Sequence, residues 1–262
     1  MLKFQNNNTT LIANFEDFIL TVFVFMDELY QEYVPDSVSK RRNVLTAKLT
    51  DSEIITISIC GELAGIDSEN AWFSFVKRNY KHHFPNLCSR SRFNRTRRSL
   101  IQTTELLREK LLSVFSVSES RYFIVDSFPL EVCKFGRAHF CRSFRGYGAD
   151  YGMCPSKKQL YFGYKVHALV TLEGFIMALK RSNSKNNYPK SVRQLIFRLR
   201  RRIETVFSQL SEQLNAERVL AKSFQGLCTR LLNKILAHNL CMILNRLFGE
   251  TYELGKIKQL IF

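Results

Sequence analysis

Arg121-Tyr122-Phe123-Ile124-Val125-Asp126-Ser127-Phe128-Pro129-Leu130 is the stretch on which the fold turns. Phe123, Ile124 and Val125 make an apolar, partly β-branched run, the pattern of a buried strand in a sheet covered on both faces. The run ends on Asp126, and Pro129 is expected to stop further ladder pairing. A carboxylate at the end of a central strand is costly to bury alone, so a cation should sit nearby. Asp126 reads either as a cap on the following turn or as a reactive carboxylate, and the downstream sequence has to decide.

Upstream of this strand the pattern is helical. Residues 11–33 carry apolar positions all round, as a buried helix would, with acids at its ends. Lys40-Arg41-Arg42 is a short basic linker. Thr50 with Glu53 three residues on is a capping-box signature for a helix over Ile54–Leu63 that ends near Gly65. Trp72, Phe73, Phe75 and Val76 start an amphipathic helix, and Pro85 closes the segment after it. Ser89-Arg90-Ser91-Arg92-Phe93-Asn94-Arg95-Thr96-Arg97-Arg98 then places five arginines within nine residues. Helical periodicity continues through Leu100, Ile101, Leu106, Leu107, Leu111 and Leu112. A helical front with a basic last element suits DNA, because exposed arginines neutralise phosphates. In that reading Arg90, Arg92, Arg95, Arg97 and Arg98 grip the duplex; the other reading is a solvated helix face.

Downstream, Tyr161–Thr171 alternates as a strand does, Leu172-Glu173-Gly174 forms a turn, and Phe175–Lys180 is the hairpin partner. Between the first two strands lies a loop rich in Gly, Tyr and Arg (Arg142–Tyr151), followed by Cys154-Pro155-Ser156-Lys157-Lys158. It is either a plain surface loop or a backbone that follows a phosphate chain, with Lys157 and Lys158 as point charges. Arg181–Pro189 is a polar, basic loop. Val192, Leu195, Ile196, Leu199, Ile203, Phe207, Leu210 and Leu214 then fall on one helical stripe. Glu204 flanks that stripe just after Arg200-Arg201-Arg202, where an ordinary surface ion pair is one explanation. A strongly apolar helix over Gly226–Phe248 should dock on the core.

Charge narrows the function classes. The 262 residues hold 39 Lys and Arg against 23 Asp and Glu, a net +16, which points to a polyanionic partner. The front, residues 1–70, is acidic at −6, whereas residues 71–110 carry +8 and residues 180–262 carry +11. Seven cysteines without a short CxxC pair fit free thiols in a reducing compartment. Cys133, His139, Cys141 and Cys154 match no standard zinc spacing. Phe18–Met26 is too short to span a bilayer, so a soluble, cytoplasmic protein is expected.

Asp126 and Glu204 are the two ends of a conceivable metal site. Two-ion phosphodiester cleavage needs carboxylates that hold divalent ions about 3.5–4 Å apart, and oxygen ligands suit Mg²⁺ or Mn²⁺. Four ordered segments, Ile124–Pro129, Cys154–Lys158, Tyr161–His167 and Arg200–Phe207, together resemble bacterial insertion-sequence transposases of the DDE class. The resemblance runs over nearly the whole chain. It implies an α+β or α/β chain: a helical DNA-binding domain over residues 1–118, then an RNase-H-like mixed sheet with helices over residues 119–262. It further implies that Asp126 and Glu204 are catalytic metal ligands, that Mg²⁺ or Mn²⁺ is the cofactor, and that double-stranded DNA at transposon ends is the partner. Arg200, Arg201 and Arg202 join the DNA-contacting set, and homo-oligomerisation is left open.

The chain also departs from that family. The second acid has no match: after Asp126 the only aspartate is Asp150, which lies before the second strand. The strand matching Gly174-Phe175-Ile176 runs through Met177-Ala178 straight into the basic loop that Leu179–Asn183 resembles. This reads as an internal deletion of an α–β–α segment along with one ligand. Family positions seven before and seven after the late Glu are Phe197 and Ser211 here, so the strand handling ascribed to a Tyr and a Lys there does not carry over. The expectation is a transposase by descent that has lost strand cleavage. The alternatives are a non-catalytic DNA-binding decoy of transposition and a general basic RNA-binding protein, although no aromatic RNP-type motif supports the latter.

Overall fold

A computed structural model describes Ile12, Val44 and residues 14–41, 46–120, 122–154, 158–180 and 202–248. The fold is α+β: a helical front, a small antiparallel sheet and helices that return to the front.

The front comprises α1 (Phe15–Tyr33), α2 (Asp36–Ser39), α3 (Asp51–Leu63), α4 (Glu69–Asn79), α5 (Arg90–Ser99) and α6 (Ile101–Val114). Four of its six helices, α1, α3, α4 and α5, start on a side-chain cap. Asn14 accepts from the Asp17 N–H, Ser68 from Ala71 and Ser89 from Arg92. The capping box at α3 is complete, with Thr50 and Glu53 each bonding the other's backbone N–H.

α1 departs from expectation. It is buried on one face only, through Phe18, Val22, Phe25 and Leu29, whereas Leu20 and Val24 face solvent. The all-round apolar pattern therefore overstated its burial. α3 is the enclosed helix: Asp51 and Ser52, and every residue from Ile54 to Leu63, are buried.

β1 (Phe123–Cys133), a short helix α7 (Arg142–Arg145), β2 (Asp150–Cys154), β3 (Gln159–Thr171) and β4 (Ile176–Lys180) follow. All pairings are antiparallel, so the expected mixed sheet is not present among the described residues. β3 is the spine. β1 lies along one side, and β2 and β4 pair with opposite ends of the other. The stretch Arg142–Tyr151 read as a loop therefore opens on α7 and ends in the first residues of β2.

Pro129 does not end β1, which pairs on to Cys133. β1 is an edge strand, where a missing N–H breaks no ladder bond. The Leu130 carbonyl faces β3 so closely that a Cβ on Gly163 would lie 2.0 Å from it. Alternation along the strand turns the Pro129 nitrogen to the open side. Between β3 and β4, Gly174 turns the chain at φ +109°, a conformation that a side chain resists.

The helix α8 (residues 202–208) passes into a π turn over Gln209–Gln213, and α9 (Phe224–Phe248) closes the molecule. The stripe residues Val192, Leu195, Ile196 and Leu199 lie outside the described residues. One hydrophobic cluster runs from Phe18 and Ile57 in the front through Ile124 and Phe128 of the sheet to Leu240 and Ile243 of α9. A smaller cluster, Leu130, Phe144, Phe162, Val219 and Leu227, lies under the far end of the sheet. No helix among the described residues is long and apolar enough to cross a membrane.

Candidate nucleic-acid interface and acidic pair

The arginine run becomes α5, and helical phase sorts its side chains. At 100° per residue, Phe93, Arg97 and Leu100 share the inward face, and all three are buried. Arg92, Arg95 and Arg98 step round the opposite face, with Arg90 at the helix start. Arg90, Arg92 and Arg95 are exposed and make no ion pair or side-chain hydrogen bond among the described residues. Arg98 is half-buried, its Nε donating to the Asn94 carbonyl.

Arg97 must be withdrawn from the DNA-contacting set. It is 7% exposed, with Nη2 3.3 Å from Glu62 and Nη1 3.5 Å from Glu69. Glu62 is the centre of a buried charge knot that the sequence reading missed. Arg230 of α9 reaches both carboxylate oxygens, at 3.2 and 3.1 Å, and Lys234 Nζ lies at 2.5 Å. Burial alone would raise the Glu62 pKa, but Lys234, Arg230 and Arg97 outweigh it and hold the carboxyl below its ordinary value. Burial in turn lowers the pKa of Lys234, against the pull of Glu62. The knot joins α3, α5 and α9, so it fixes the pose of the arginine helix on the body.

Beside the knot, Arg90, Asn94 and Arg98 of α5 face Lys222, Ser223 and Thr229 near the start of α9 across a cleft of about 470 Å³. Asp67 and Glu69 also line it. Glu69 is committed to Arg97 and Asp67 accepts from Asn215, so the basic groups Arg90, Arg98 and Lys222 dominate what a ligand would meet. Arg92, on the other flank of α5, lines a smaller cleft with Arg41 and Lys48.

The acidic pair is only partly assembled. Asp126 lies within β1, opposite Ala168, half-buried, with Oδ1 accepting the Ser127 N–H at 2.8 Å. It is on an edge strand, not at the end of a central one. Glu204 is exposed on α8. The two elements touch: Phe128, two residues beyond Asp126 on the same strand face, meets Phe207, three beyond Glu204, with ring centroids 5.0 Å apart. No third carboxylate completes a shared site among the described residues, where the one group of three ligand-type side chains is elsewhere. Asp150 opens β2 opposite Gly163, five residues along β3 from Ala168, or ~17 Å. The donor set therefore does not fit a pair of in-line divalent ions, and no catalytic step is assigned to it.

The remaining predicted residues divide simply. Lys158 is exposed in a left-handed turn at φ +47°. Arg202 is exposed, its aliphatic stem near Gly174. Lys157, Arg200 and Arg201 lie outside the described residues. The seven cysteines are free, and burial, helped by the neighbouring Cys141 thiol, raises the Cys133 pKa to about 11. Comparison with protein families, curated proteins and solved structures finds no match to this chain.

Proposed function

We propose that this chain binds double-stranded DNA through the outer face of α5 and the cleft beside it, and that it descends from DDE insertion-sequence transposases without retaining strand transfer. The carrying observation is the row Arg92, Arg95 and Arg98, opposite the buried Arg97, with Arg90, Arg92 and Arg95 exposed and uncommitted. A stripe of this kind neutralises phosphates on one side of a duplex. Asp126 and Glu204 on abutting elements support the descent, as does a sheet with no strand beyond β1 among the described residues, which is the shape expected after loss of strands. The RNase-H-like assignment of the sheet and the division at residue 118 belong to this reading. So do a nucleoid location and a residual Mg²⁺ or Mn²⁺ preference. One or two carboxylates plus a substrate phosphate can hold a single Mg²⁺. Loss of one member of a catalytic unit costs orders of magnitude in rate.

The test is binding to terminal-repeat and scrambled duplexes over a salt series. Each phosphate contact contributes about −0.9 to the slope of log K against log salt. Arg92→Ala with Arg95→Ala should therefore flatten the slope by roughly 1.8 while leaving the fold intact. An unchanged slope would dismiss α5 as the interface. Preference for terminal repeats favours a decoy of transposition, whereas equal binding to both duplexes leaves a general basic surface. Incubation with Mn²⁺ should give no end cleavage; cleavage abolished by Asp126→Asn would overturn the inactivity.

A further inference from the structure

Away from the arginine helix, three side chains of metal-ligand type converge where the first turn of α1 meets the turn after α4. Glu16 of α1, His82 and His83 each present one ligand atom, and these atoms lie within 4.8 Å of one another. His82 Nε2 is already 3.3 Å from Glu16 Oε1, and the two imidazole centroids are 4.1 Å apart. A second observation points the same way. His83 Nε2 is buried and has no hydrogen-bond partner, although a buried imidazole nitrogen normally finds one. His83 is held from behind by the ring of Tyr80, which packs in turn on Phe15 and Phe75. That ligand is thus fixed, while Glu16 and His82, about half exposed, are able to swing inward.

We propose that Glu16, His82 and His83 form a site for one Zn²⁺ ion, completed by water. Two imidazoles and a carboxylate are a borderline-soft donor set that selects Zn²⁺ over Mg²⁺ or Ca²⁺. Bonds of about 2.0–2.2 Å require the ligand atoms to close by an ångström or so from their present spread. The two exposed side chains supply that movement without displacing backbone. The bound ion staples the start of α1 to the turn between α4 and α5, adding to the His82–Glu16 contact and the aromatic packing of Phe15 on Tyr80 there. Three protein ligands leave the fourth position to water, so the site is structural in its effect yet open in its coordination.

The experiment is calorimetric titration of the chelator-treated full chain with Zn²⁺ alone under reducing conditions, paired with its thermal unfolding. One saturable site is expected, with an upward shift of the unfolding midpoint as binding to the folded state requires. His82→Ala should weaken binding at least tenfold and abolish the shift, and Glu16→Gln should weaken it too. His82 is exposed, so the variant should fold, which circular dichroism checks. Cys133→Ser should bind as the parent does, and Co²⁺ should give the visible absorption of a tetrahedral site in both of these but not in His82→Ala. Unchanged affinity in His82→Ala, loss of binding in Cys133→Ser, or no saturable site at all would each overturn the proposal. None of these outcomes depends on whether the protein binds DNA.

Discussion

The helical body and the sheet solve the burial problem in opposite ways. In the body, α3 is enclosed by α1, α4, α5 and α9, and even its buried carboxylate Glu62 is surrounded by cations. In the sheet, one face packs on the helices through Ile124, Phe128, Ala168 and Val170. The other leaves Phe123 and Val125 exposed, and β1 has no strand beside it on its outer side among the described residues. An antiparallel sheet tolerates one wet face, but that face is ordinarily polar. Apolar residues there fit the proposal of a sheet that has lost a layer. Stability should therefore reside in the body, and cohesion failures should begin at the sheet.

The largest effect should come from the centre of the body. Glu62→Gln leaves Arg97, Arg230 and Lys234 buried around a neutral amide, and removing one partner from a buried charge cluster costs about 3–5 kcal/mol. Chemical denaturation should show a midpoint lowered accordingly, with α-helical signal lost along with the rest. A variant as stable as the parent would mean that water reaches the knot.

Acid should probe the same body through two groups in sequence. His238 is fully buried, Nε2 facing the Gln209 side-chain Oε1 at 3.0 Å, and burial pushes its pKa from 6.5 down to about 4. Its folded pKa lies below the unfolded one, so the unfolded chain takes up the proton first. The stability is whole above pH 6.5 and drains as pH falls toward 4, by about 3 kcal/mol in all. Glu62, also held below its ordinary 4.5, adds a second loss as pH falls below that value. Unfolding midpoints between pH 3 and 8 should thus be flat at the top, then fall in two stages. His238→Gln should erase the upper stage whatever it does to the absolute midpoint.

Much of this architecture was readable where the signal is local. The capping box at Thr50, the hairpin about Gly174 and the last helix each depend on residues a few positions apart. β2 was not readable, because Asp150-Tyr151-Gly152-Met153-Cys154 lacks β-branched residues and owes its form to β3. Arg97 looked like its neighbours, and only its phase with Phe93 and Leu100 reveals that it points inward. The Glu62 knot joins partners 168 and 172 residues apart. A lone Glu amid Ile54, Ile55, Ile57, Ile59 and Leu63, with Arg230 and Lys234 four apart on an apolar helix, was its faint trace. The acidic pair was half legible: motif order gave its two elements, but whether a third carboxylate converges is a question of three-dimensional placement.

Where body meets sheet, a smaller effect is expected. Asn239 of α9 makes two 2.9 Å hydrogen bonds to Ile176, accepting from its N–H and donating to its carbonyl. Ile176 begins β4, at the junction where the sequence reads as fused. Arg108 of α6 also donates to that carbonyl, at 3.2 Å, so Asn239→Leu orphans chiefly the N–H. Leaving one buried donor unpaired costs about 2 kcal/mol. Hydrogen exchange should show faster opening of β4 and its β3 partners while α3 and α9 stay protected. Uniform acceleration would erase the distinction between the two regions.

The exposed sheet face offers the smallest change in stability and the sharpest contrast. Val125→Lys and Phe123→Lys alter side chains that are 64% and 41% exposed, so each should shift unfolding by no more than about 0.5 kcal/mol. They should nonetheless reduce self-association on concentration, since charge on an exposed strand discourages edge and face pairing. Pro129→Thr should act in reverse, returning an outward N–H to β1 and promoting oligomers visible by light scattering. Equal association of all three with the parent would show that this face is harmless as it stands, and the case for a lost covering layer would go with it.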